Sequence, residues 1–189
     1  MLLVLLSLAI SSAHVLSPQA TPLHTVRWPS ISVRQRHPTA VGCTQDVAEL
    51  PPALAKTVMG FKMVPDQKLR YTQLLYMAKK LEPMDAALQV DSNKVPGCLS
   101  TVFVHARKEE DLIYFEGTSD AQLTKGLVAL LVNGLTGCTN EQIQVVDSSF
   151  IQTAGLAQSL TPGRNNGFVN MLAMMKRQAA ALSDPEADR

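Results

Sequence analysis

Cysteine is scarce in this chain of 189 residues, and Cys43, Cys98 and Cys138 stand far apart. No pair has the short spacing of a zinc or iron–sulfur ligand set, so the sequence predicts no metal centre. An odd number of cysteines also argues against a disulfide framework, although one pair could form. A basic excess is missing too: 17 Lys and Arg stand against 16 Asp and Glu. The balance is uneven along the chain. Residues 1–45 hold Arg27, Arg34 and Arg36 and no acid, which leaves 14 basic and 16 acidic residues in 46–189. A body with no surplus cation has little with which to neutralise a phosphate backbone, and this excludes nucleic-acid binding as a leading function. Beyond the first ten residues no apolar run reaches the length of a membrane span, so no membrane attachment is expected of the mature form.

What is present suffices for one core. With 46% hydrophobic residues the chain can bury a single domain, and it is too short for two ordinary ones plus a leader. The leader is legible in two parts. Residues 2–10 are apolar apart from Ser7 and run into Ser11-Ser12-Ala13, small residues suited to a signal-peptidase site. Residues 14–45 are rich in Ser, Thr, Pro and His, carry the three arginines and lack acid, which is the composition of a transit peptide. The expected division is therefore a targeting leader over 1–45 and a folded domain over 46–189.

In the folded part, Leu54, Val58 and Phe61 follow Pro51-Pro52 at helical spacing. A second helix is expected from Pro65 and Asp66 to about Leu81, with Tyr71, Leu74, Leu75 and Ala78 on one face. Residues 101–106 and 112–116 read as two strands joined by the charged turn 107–111, with Phe103, Ile113 and Phe115 able to share a face. A two-stranded ribbon does not stand alone in water, so helices must cover it, and a third strand could come from the irregular segment before it. Ser119 and Asp120 are expected to cap a buried helix over about 121–133, with Gly134 as its stop. Thr139 caps a short helix, and Ser148 or Ser149 another. A last helix follows Thr161-Pro162-Gly163-Arg164 with Phe168, Met171, Leu172 and Met175 as its apolar stripe.

The stretch with chemical interest is Asn93-Lys94-Val95-Pro96-Gly97-Cys98. Pro96 disfavours helix at Val95, and Gly97 can adopt a backbone conformation closed to other residues, so the segment can hold a cysteine at a chain reversal. Two readings of Cys98 follow, a small core side chain or a presented nucleophile. A hydrolase or phosphatase would need an orienting histidine or a phosphate-cradling loop. His105 is the body's only histidine, expected to point outward from a strand, and no glycine run surrounds Cys98.

An ordered set of motifs narrows this further: Arg70-Tyr71, Ala78-Lys79-Lys80, the segment from Asn93 to Cys98, Ser119-Asp120-Ala121, Leu123-Thr124-Lys125-Gly126-Leu127, Ala154-Gly155-Leu156, and Ser159-Leu160-Thr161-Pro162-Gly163-Arg164-Asn165-Asn166-Gly167. In this order they resemble the SufE family, the sulfur-acceptor partners of cysteine desulfurases in iron–sulfur cluster assembly. Gly163 stands where that family usually has Ser. The resemblance implies an α/β (α+β) fold, a small antiparallel sheet packed by helices as in IscU-type scaffolds. It implies that Cys98 takes persulfide sulfur from a SufS-type desulfurase, stimulates that enzyme, and passes sulfur to a SufBCD-type scaffold. Asp120 and Arg164 are implied to lie near Cys98. No cofactor or metal is implied for this chain, since the pyridoxal phosphate of the overall reaction belongs to the desulfurase. The alternative within the same chemistry is an IscU-like protein that itself assembles a cluster. With the resemblance, the two-part leader implies delivery to a plastid, with the mitochondrion as alternative.

Overall fold

The computed structural model describes residues 45–184. The expected leader up to residue 44, with Cys43, lies outside the described residues. Helix α1 (Pro52–Lys62) starts behind Pro51 and buries Leu54, Val58 and Phe61. Helix α2 (Gln67–Lys80) is capped by the Asp66 carboxylate, which accepts from the N–H groups of Lys68 and Leu69, and it ends on Lys79 and Lys80 where the helix dipole favours cations. Its buried seam is Leu74 and Ala78, with Tyr71 half-buried; Leu75, expected on that face, is exposed. The seam is narrow because α2 meets the next helix at a very close crossing, described below.

Strands β1 (Val102–Glu109) and β2 (Leu112–Ser119) pair antiparallel, with Ala106 opposite Phe115 and Glu109 opposite Leu112. Both are longer than their apolar residues suggest. Arg107, Lys108 and Glu109, read from sequence as turn, belong to β1, where Arg107 bridges Glu109 and Glu116 and lies over the Tyr114 ring. Only Glu110 and Asp111 make the turn, with Glu110 at φ 55°. This register decides the faces. Val102, Val104, Ala106, Ile113 and Phe115 point together into the core, whereas Phe103, opposite Thr118, is on the other side. No third strand forms among the described residues. The segment before β1 contributes a single bridge, Lys94 to Phe103, with the Val95 N–H bonded to the Val102 carbonyl at 2.9 Å, and Pro96, which lacks an N–H, ends the pairing.

Helix α3 (Gln122–Leu135) is the buried centre, packed against β2, α1 and α2. A Cβ at Gly126 would lie 2.4 Å from the Leu74 carbonyl oxygen, so the α2–α3 crossing exists only because that position has no side chain. Two sequence expectations fail at its ends. Asp120 does not cap it: Ala121 occupies the cap position without a side-chain bond, while the Asp120 carboxylate is drawn sideways to the Thr101 N–H at 3.1 Å. Gly134 does not stop it, being inside the helix against Leu54; the reversal comes at Gly137, with φ 79°. Helix α4 (Asn140–Gln144) has the expected Thr139 cap, completed as a capping box by Gln142. Helix α5 (Phe150–Thr153) brings Phe150 edge-on to Phe168 at 5.5 Å. Helix α6 (Pro162–Ser183) begins at Pro162, so Gly163 and Arg164 lie in its first turn, and it packs on β1 with Phe168, Met171, Leu172 and Met175 buried.

Candidate functional site

The segment carrying Cys98 is fastened at both ends. At the first, Asn93 donates to the Leu88 carbonyl at 2.8 Å, and Val95 is buried and tied to Val102. At the second, Asp120 and Thr101 bond twice, the Thr101 N–H to the Asp120 carboxylate and the Asp120 N–H to the Thr101 carbonyl at 3.2 Å. Between these anchors Gly97 turns the chain at φ 71°, the left-handed region where a side chain is strained. The tip lies along one face of α6. Leu99 covers Gly163, where a Cβ would come within 2.5 Å of its methyl group. Cys98 lies over Gly167, with its thiol directed at the Gly167 carbonyl at 3.7 Å, and Asn170 donates to the Pro96 carbonyl at 3.0 Å.

Cys98 is half-buried at the wall of a cleft of about 410 Å³. Leu99, Leu127 and Met171 belong to its apolar lining, and Thr124 and Arg164 to its polar one. Thr124 is buried and shares a hydrogen bond with Ser100 at 3.3 Å. Arg164 faces the cleft from α6, and it takes part in none of the ion pairs of the described residues. Asp120 does not line this cleft; it stands one step away, behind Thr101. Of the residues singled out from sequence, Cys98 and Arg164 are therefore brought into one cavity, and Asp120 supports the backbone beside it. His105 is on the strand and within 3.5 Å of the Asn93 side chain, away from the cleft. Cys138 is buried, its thiol directed at the Gly134 carbonyl.

Burial pushes the Cys98 thiol up from its ordinary pKa. At neutral pH the resting thiol is thus held protonated. Sequence reasoning singled out neither Asn170 nor Gln178. Gln178 donates to the Val104 carbonyl at 2.9 Å and lies 3.4 Å from the Asn93 side-chain oxygen, joining α6, β1 and the loop. Their only signal was helical spacing on a helix whose other residues are common core formers. Arg70, in contrast, is explained by structure alone. Its guanidinium donates to the Val64 and Gly155 carbonyls and fills the space beside Gly155.

Residues 55–179 match the SufE family, described as an Fe-S metabolism associated domain. The chain belongs to the SufE family. A SufE-like protein of Synechocystis is 49% identical over 135 residues, covering 71% of this chain and 85% of the relative. The SufE-like protein 1, chloroplastic/mitochondrial, of Arabidopsis thaliana is 42% identical over 146 residues, 77% of this chain but 39% of the plant protein. The cysteine desulfuration protein SufE of Plasmodium vivax is 39% identical over 138 residues, 70% of this chain and 55% of that one. The match thus spans most of the cyanobacterial SufE relative and about half or less of the other two. The solution structure of a hypothetical protein from Thermus thermophilus has the same fold, with a TM-score of 0.63 and 29% identity over 70% of this chain and 97% of that chain. The SufE fold expected from the motifs, α/β with a small antiparallel sheet packed by helices, is the fold observed.

Proposed function

We propose that this SufE protein is a sulfur acceptor and persulfide relay, with Cys98 as the acceptor. The observation that carries the reading is a cysteine on a glycine turn, half-buried at the wall of a partly apolar cleft that also holds Arg164. Family membership, and the name cysteine desulfuration protein borne by the Plasmodium relative, support the same role. In the transfer, the Cys98 thiolate attacks the outer sulfur of a persulfide on a SufS-type desulfurase. A new sulfur–sulfur bond forms at Cys98, the bond to the donor cysteine breaks, and that cysteine leaves as a thiolate with the electron pair. No net oxidation occurs, and emptying the donor stimulates the desulfurase. The cleft then shields the Cys98 persulfide until it is passed to a SufBCD-type scaffold. Arg164 favours the anionic sulfur, and Asp120 holds the loop's second anchor in place for docking.

Cluster assembly on this chain itself, the IscU-like alternative, gains no support from side-chain placement: among the described residues no three His, Cys, Asp or Glu converge as a ligand set. The test of the relay is incubation with a desulfurase and cysteine, followed by intact-mass and peptide analysis. One added sulfur is expected on the wild type and on Cys138→Ala, and none on Cys98→Ser. Labelling of Cys98→Ser, or an iron–sulfur chromophore that persists without Cys98, would overturn the assignment.

A further inference from the structure

The loop that carries Cys98 is anchored at Asn93 and Val95 on one side and at Thr101 on the other, so residues 96–99 form a tip that can move without disturbing either strand. This tip is seated on α6 in three successive contacts about one turn apart: Leu99 on Gly163, Cys98 on Gly167, and Pro96 and Gly97 on Asn170. The first two are apolar or weak, since the thiol is a poor donor and Leu99 is 83% exposed. Asn170 makes the strong one. Its amide donates to the Pro96 carbonyl at 3.0 Å, and the same nitrogen would be 2.7 Å from a Cβ at residue 97. Gly97 therefore serves two purposes, turning the chain at φ 71° and letting the Asn170 amide close over the turn.

We infer that Asn170 is a positioning residue: its amide latches the loop tip onto α6 and so sets how often the Cys98 thiol leaves its seat to react. The biological meaning rests on the relay proposed above, but the latch is a property of the resting thiol alone. Seated, the thiol is protonated by burial; unseated, it ionises as an ordinary cysteine. Charged groups around it are Arg164 in the cleft and Asp91 and Lys94 on the groove at the loop's other side, and none of them is altered by the test.

The experiment measures alkylation of Cys98 by iodoacetamide across pH in wild type and in Asn170→Leu, which keeps the shape and removes the donor. Cys138, buried to 6% exposure in the same molecule, reports global opening. In the variant, Cys98 should react roughly two- to tenfold faster at neutral pH, the shift in an equilibrium on losing one net hydrogen bond. The midpoint of its pH profile should move to lower pH, while the Cys138 rate stays as in wild type. An unchanged Cys98 rate, or equal acceleration of both cysteines, would overturn the latch. Failure of the relay reads out separately, as absence of added sulfur on wild-type Cys98 in the desulfurase assay.

Discussion

At Cys98 and Arg164 the sequence and the fold divide the work unequally. A cysteine behind Pro96-Gly97 can be recognised in one dimension, because the turn chemistry is local. Arg164 is 66 positions away in sequence, and only the fold brings it to the same cleft, where no carboxylate of the described residues pairs with it. In the proposed role of Arg164, reversing its charge acts twice, by removing a cation from the cleft and by placing a like charge beside the forming thiolate. Arg164→Glu should slow single-turnover sulfur acceptance by about tenfold or more, whereas Lys79→Glu, on the exposed side of α2, should leave it within about twofold. Equal rates for the two variants would remove Arg164 from the mechanism.

The helices and strands were legible in existence and order, since amphipathic spacing and alternating apolar residues are local signals. What was not legible was the pairing register and the end points. Phe103 has the composition of a core residue, yet the two-residue turn after Glu109 fixes Ala106 opposite Phe115 and leaves Phe103 on the other face. Asp120 has the chemistry of a cap, but its carboxylate meets the Thr101 N–H instead. The most consequential element contact is the α2–α3 crossing at Gly126. Alanine there would gain about 1 kcal/mol of helix propensity, but its methyl group would meet the Leu74 backbone, which cannot move aside cheaply. Overpacking of that kind costs about 1–3 kcal/mol or more. The net effect of Gly126→Ala should be a loss of stability, read as a lower urea midpoint, and a midpoint equal to wild type would show that the two helices can separate at little cost.

For the whole molecule, the two-part composition of residues 1–45 supports a leader that is removed, with the plastid as the proposed destination and the mitochondrion as the alternative. The name of the Arabidopsis relative leaves both organelles open. The change of composition places the mature start between about Gly42 and Ala48. The structure narrows the expectation, because Gln45 bonds to Ser149 and Val145 through its N–H and side-chain amide, and its side-chain oxygen accepts from the Asp147 N–H. A mature chain should keep Gln45 to hold the connection between α4 and α5. N-terminal sequencing of the native protein is the check: a first residue between about Gly42 and Gln45 is expected, and a retained Met1 would sink the leader reading.

The sequence alone establishes that this protein has one core, an N-terminal stretch of distinct composition, helices around a hairpin, and a cysteine behind a proline–glycine pair. Each follows from composition or from interactions between residues close in the chain. The tertiary structure alone decided which face of the hairpin is buried, that α2 and α3 touch backbone to backbone, and that Gly163, Gly167 and Asn170 of α6 form the seat of a loop some 70 residues earlier. Those outcomes depend on contacts between distant residues. A glycine or an asparagine carries no mark in the sequence of which distant backbone it will let approach.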